Sequence, residues 1–163
     1  MIKIMLFVCI AALSLFVSTS VQAEVPAKTA AAQQALLANP NPTLAKNKRL
    51  AYNFMREVFY GCHPELADKF LSKSYVQHNP NVPSGRAGFV RFLSHYCKSK
   101  PIAPLIKQPI ISIVAEGNMV VIAYARKLPD PKDSSKIYMR TWFDMFRIAN
   151  GKIVEHWDPA LKR

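Results

Sequence analysis

Apolar positions recur with a helical period in the middle of the chain and with a strand period towards its end. Leu50, Phe54 and Val58 stand at i, i+4 and i+8, with Ala51 and Met55 beside them. That spacing predicts an amphipathic helix burying one stripe. Asn41 is placed to cap it, Pro42 to fill its first turn and Gly61 to close it. A short second helix is expected over 63–71, with Leu66, Phe70 and Leu71 inward. A third is expected over 85–96, with Phe89, Phe92 and Leu93 on one side. Between them, 75–78 reads as a short extended segment ended by Asn79-Pro80-Asn81.

After Pro104 the period becomes 2. Strands are expected over 109–116, 119–128, 136–149 and 152–157. Gly117-Asn118 and Asn150-Gly151 supply turns, and 129–135 forms a polar loop. Helices followed by a run of antiparallel strands is the α+β pattern. A length of 163 residues suits one domain, and no internal repeat is visible.

The two ends read differently. Lys3, a nearly unbroken apolar run over 4–17 and the small residues of Val21-Gln22-Ala23 resemble a secretory signal peptide spanning 1–23. The run is shorter than the roughly 20 residues that a membrane-spanning helix needs, so no stable membrane anchor is expected. An exported product, periplasmic or secreted, follows. Residues 24–41, rich in Ala, Gln and Pro, read as a flexible leader with a helical stretch over 30–37. The folded domain is expected over 42–160. In an oxidising compartment the pair left after the leader, Cys62 and Cys97, is expected to form a disulfide, with two buried free thiols as the alternative.

Composition removes several classes of function. The 5 glycines form no phosphate-cradling loop, and the 3 cysteines and 4 histidines form no zinc framework. No cofactor is expected. His156-x-Asp158 offers two metal ligands with no assured third, so no metal is expected either. The net charge of +12 raises the question of a nucleic-acid partner. The basic residues are scattered rather than interleaved with exposed aromatics, and export removes most such partners, so no nucleic acid is expected.

Two motifs carry a resemblance. Tyr75-Val-Gln-His-Asn-Pro80 and the run from Phe143 through Asn150-Gly151 to Glu155-His-Trp-Asp158 resemble those of SnoaL-like polyketide cyclases. These belong to the wider nuclear-transport-factor-2 and ketosteroid-isomerase superfamily. The likeness covers about residues 42–160. It implies a cone, with three helices packed on a strongly curved antiparallel sheet around a pocket open at one end. It also implies a homodimer through the sheet. Because the superfamily includes both enzymes and binding proteins, fold alone does not give the chemistry.

The long strand alternates two faces, one carrying Arg140, Trp142, Asp144, Phe146 and Ile148. Asp144 is the anomaly among aromatics: a carboxylate buried there loses hydration. Its alternative role is a structural one. Which residues of the last strand share its face depends on the Asn150-Gly151 turn. A two-residue loop pairs Asp144 with Trp157. A three-residue loop, with Gly151 left-handed in a bulge, pairs it with His156. The bulged register is favoured here. It gathers Trp142, Asp144, Phe146, Val154, His156 and Asp158, and leaves Glu155 near Arg147.

The resemblance places His78 where ketosteroid isomerases carry their base, and Asp144 where they keep a protonated acid that hydrogen-bonds an oxyanion. The helical phenol of that oxyanion hole falls near Phe54, which cannot donate, so steroid isomerisation by that mechanism is not expected. In the cyclases a carboxylate and a neighbouring histidine close a ring by aldol chemistry, and Asp144 or Asp158 with His156 could match. The expected acid–base set is therefore His78, Asp144, His156 and Asp158. The expected substrate walls are Phe54, Gln77, Trp142 and Phe146. The expected ligand is a small hydrophobic carbonyl compound. The alternative is a noncatalytic exported module that binds a small ligand or a protein.

Overall fold

A computed structural model describes residues 26–162. The signal-peptide expectation falls on 1–23 and lies outside the described residues. Among the described residues no helix is long and apolar enough to cross a membrane.

The chain forms α1 (Ala30–Ala35) and α2 (Pro42–Asn53), which continues as a π-helix over Phe54–Tyr60. A 3-10 turn (Pro64–Leu66), α3 (Ala67–Phe70) and β1 (Leu71–Gln77) follow. Then come α4 (Arg86–Tyr96), β2 (Ile110–Glu116), β3 (Met119–Pro129), β4 (Ile137–Ala149) and β5 (Lys152–Trp157). The five strands make one sheet in the order β1-β5-β4-β3-β2. The α+β architecture agrees with the sequence, with one correction: β1 lies parallel to β5, so the sheet is mixed. β1 reaches its edge position from the helical layer rather than through a hairpin, which frees it from antiparallel pairing.

Local chemistry accounts for the boundaries. Asn41 Oδ1 accepts the backbone N–H groups of Thr43 at 2.9 Å and Leu44 at 3.3 Å, so α2 starts where expected. Its end differs. Gly61 is right-handed (φ −72°), and the left-handed residue is Cys62 (φ 57°). Gly61 is needed for clearance, because a Cβ there would collide with the Glu57 carbonyl. The helix ends on wide turns, in which Gly61 N–H donates to the Arg56 carbonyl and His63 N–H to that of Val58, each at 3.1 Å.

Residues 26–41 are not a loose leader. Ala27 and Ile110 exchange two backbone hydrogen bonds, of 2.6 and 3.2 Å. Gln33 is fully buried. Its Nε2 donates to the carbonyls of Ala27 and Ile106, while its Oε1 accepts the Tyr52 hydroxyl and the Ile106 N–H. All four bonding positions of the amide are used, so a polar residue can sit in the core without an unmet group. Lys48 Nζ donates to the carbonyls of Leu36 and Ala38 behind α1. This segment reads as a leader because its contacts are polar and distant in sequence, and a hydrophobic period registers neither.

The core lies between the helices and the inner face of the sheet. Phe54 meets Phe70, Phe89 and Phe146 with ring centroids 6.1, 5.6 and 6.0 Å apart. Val58, Leu71, Leu93, Ile122 and Ile153 are fully enclosed around them. Cys62 and Cys97 form a disulfide with Cα atoms 6.0 Å apart, joining the end of the π-helix to the end of α4.

Candidate active site

The inner sheet face and helices α2 and α4 bound a cavity of about 490 Å³, a size suited to a small organic ligand. One wall is apolar: Phe54, Met55 and Phe59 from α2 and its π extension, with Phe89, Phe92 and Tyr96 from α4. The π segment matters here, because its wider turn brings Phe59 and Tyr60 onto the side already occupied by Phe54 and Met55. The opposite wall carries Gln77, Asn79, Asp144, His156 and Asp158.

The Asn150-Gly151 turn decides who meets whom. It is a two-residue turn with both residues left-handed (φ 50° and 69°), flanked by the Ala149–Lys152 pair. Alone it would put His156 on the wrong face. The register slips between Arg147 and Ile148, where Ile153 and Glu155 face consecutive β4 residues and Val154 is the extra residue. The face assignment expected from a three-residue loop therefore holds, but the bulge sits inside β5. His156 pairs with Phe146 and reaches Asp144 diagonally. Ile153 takes the buried place expected of Val154.

The polar wall is a connected network. Asp144 and His156 are both buried, and His156 Nε2 lies 3.2 Å from Asp144 Oδ1. Trp142 Nε1–H donates to the same oxygen at 3.2 Å. His156 Nδ1 lies 2.8 Å from Gln77 Oε1. That oxygen also accepts the Asn79 backbone N–H at 3.0 Å, which fixes the orientation of the amide. Nδ1 must then carry hydrogen and donate to it. Nε2 faces the carboxyl oxygen of Asp144 within hydrogen-bond reach. Asp158 is oriented by Asn79 Nδ2, at 3.1 and 2.8 Å from its two oxygens, and by the Ala160 N–H at 2.9 Å.

Phenols surround the network. Burial, with the Asp144 charge added, pushes the Tyr60 hydroxyl above its ordinary range. Tyr75 is raised by burial and by Asp158 and Asp144, and its oxygen accepts Gln77 Nε2–H at 2.9 Å. Tyr124 is fully buried and likewise raised, and among the described residues its hydroxyl has no hydrogen-bond partner. All three phenols stay protonated and able to donate. The donor that Phe54 cannot supply is offered by Tyr60, six residues further along the same helix.

The structure brings together three of the four expected acid–base residues. His78 is the correction. Strand alternation points Tyr75 and Gln77 inward, so His78 faces out. It stacks on Trp157 at 4.5 Å and contacts Glu155 Oε2 at 3.1 Å, and Glu155 Oε1 in turn accepts Arg147 Nε–H at 2.8 Å. Among the expected walls, Phe54, Gln77 and Trp142 line the cavity. Phe146 does not. It is fully buried behind the lining, between Phe54 and His156. Sequence reasoning missed Tyr60, Asn79, Tyr124 and Arg126 as lining residues. Asn79 carried a usable signal, since it shares the parity of Gln77.

Asp144, His156 and Asp158 also present one ligand atom each within 4.8 Å of one another. Asp144 is thus the third ligand that the sequence did not reveal, and three ligands are what an open catalytic zinc site requires. The His156 Nδ1–H bond to Gln77 is the support such a ligand would need. The same contacts also describe a metal-free proton relay.

Comparison with known proteins agrees with this geometry. The family model described as SnoaL-like domain matches residues 53–156. No curated protein matches the chain. Among solved structures, the fold resembles a protein provisionally named a polyketide cyclase from Acidithiobacillus ferrooxidans. The match is at 20% identity and TM-score 0.50, over 69% of this chain and 86% of that one. It also resembles a provisionally named SnoaL-like polyketide cyclase from Jannaschia sp. CCS1. There the identity is 13% and the TM-score 0.51, over 75% and 91% of the two chains. At such identities the likeness bears on the fold. The family match spans most of the fold from the π-helix to His156, and the chain belongs to the SnoaL-like domain family.

Proposed function

We propose that this protein is a cofactor-independent acid–base enzyme that removes a proton next to the carbonyl of a small, largely apolar compound, for an aldol-type ring closure or an isomerisation. The observation that carries the reading is the contact of His156 Nε2 with Asp144 Oδ1, at 3.2 Å, at the wall of an apolar cavity. Asp158, oriented by Asn79 and the Ala160 N–H, takes the proton as the C–H bond breaks. The Asp144–His156 pair supplies a proton to the oxygen on which negative charge develops, and Tyr60 adds a second donor on the helical side. The enolate then regains a proton at another carbon, or attacks a second carbonyl of the same molecule.

The expected outcome is measurable without the natural substrate. The protein should exchange the α-protons of cyclohexenone for deuterium in D2O, followed by NMR. Asp158→Asn and His156→Ala should each slow exchange by about 10²–10⁴-fold with circular dichroism unchanged. Wild-type exchange no faster than that of Asp158→Asn would remove the proposal. Retention of an unaltered small molecule by protein purified from its source, with no exchange, would favour the noncatalytic binding module instead.

Two further features belong to the same reading. The disulfide supports export to an oxidising compartment. Exposed Met139 and Phe143 on the outer sheet face support a homodimer through that face. Phe143→Glu should then shift the sedimentation coefficient to that of a monomer.

A further inference from the structure

We infer that the mouth of this cavity recognises an anionic group, so that the ligand is an organic acid: an apolar carbonyl compound that carries a carboxylate at the end away from Asp144. The inference rests on the cavity being a ligand site, as proposed above, and adds the class of ligand.

Arg126 and Arg140 stand directly opposite each other across β3 and β4. Like charges in that relation repel. Both guanidinium groups lie over the Trp142 ring, with their central carbons 4.7 and 5.2 Å from its centroid. The indole face attracts cations and holds the two together. Among the described residues neither arginine forms a salt bridge with a carboxylate. The pair is therefore a concentration of positive charge with no carboxylate counter-ion among the described residues, and guanidinium groups are donor forks suited to a carboxylate. Arg126 and Lys100 both line the cavity. Trp142 connects this cationic end to the reacting end, because its Nε1–H is bonded to Asp144. One ligand can therefore lie along the indole with its carboxylate on Arg126 and its carbonyl towards the Asp144–His156 pair. An anion between the guanidinium groups would relieve their repulsion, whereas a neutral ligand would leave it in place.

The test uses three matched probes, 4-oxo-4-phenylbutanoate, its primary amide and butyrophenone, with affinities from isothermal titration calorimetry at 20 and 200 mM salt. The acid should bind about tenfold more tightly than the amide, roughly what one charge-assisted contact contributes. The preference should shrink at the higher salt. Arg126→Gln should abolish the preference of acid over amide, and Arg140→Gln should reduce it. The second variant also serves if the first fails to fold. Equal binding of acid and amide by the wild type, or a preference that survives both substitutions, overturns the inference and leaves the cavity reading intact. Failure of all three probes to bind overturns both.

Discussion

One buried amide is central to the attachment of the N-terminal segment. Gln33 bonds the Tyr52 hydroxyl and both backbone groups of Ile106. Replacing it with Leu would leave those partners buried and unmet, at about 3 kcal/mol in total. Gln33→Leu should lower the urea midpoint accordingly, and a truly loose leader would show no change. Glu155, on the outer face, is a second residue-scale case. The hydrogen bond from His78, with Arg147 added, holds its carboxyl below the ordinary glutamate range. Its folded value lies below its unfolded one. The contribution to stability is therefore complete above the ordinary value and lost as pH falls towards the folded value. An NMR titration of the Glu155 side chain should give a midpoint that rises in His78→Ala. At this scale the sequence was half legible. Asp144 stands out as an acid among aromatics and proves to be buried. His78 was assigned by likeness although its parity, opposite to Gln77, already placed it on the other face. No hydrophobic period marks Gln33, because three of its four bonds are to Tyr52 and Ile106, far along the chain.

At the level of elements, the strands and their turns were readable because alternation and the Asn-Gly signal are local properties. The π-helix was not. Leu50, Phe54 and Val58 fit an ordinary helix equally well, and only the backbone shows that the last turns are wide. That difference decides which aromatics reach the cavity. Tyr60→Phe removes the phenol without disturbing the helix, and should slow α-proton exchange by about tenfold or more with the melting temperature kept. An unchanged rate would take Tyr60 out of the mechanism. The bulge in β5 is a similar case. The sequence specifies that one extra residue is needed to bring His156 beside Asp144. The exchange of Val154 for Gly151 as that residue depends on how the strand packs under α3 and β1.

For the whole molecule, the disulfide closes a stretch of 35 residues that includes α3, β1 and α4. Chain-entropy arguments assign such a closure about 3–4 kcal/mol. Cys62→Ser with Cys97→Ser should lose that much stability in urea, and dithiothreitol should reproduce the loss in the wild type. Because Cys97 also lines the cavity, ligand affinity should fall together with stability. Equal melting of oxidised and reduced protein would show that the bond has no structural weight.

The parallel pairing of β1 with β5 joins residues 77 and 156 by a hydrogen bond across nearly half of the sequence. β5 is seated between β1 and β4. The imidazole therefore keeps its place only while β5 is paired on both sides, and fraying of the β1 edge would loosen it before the core opens.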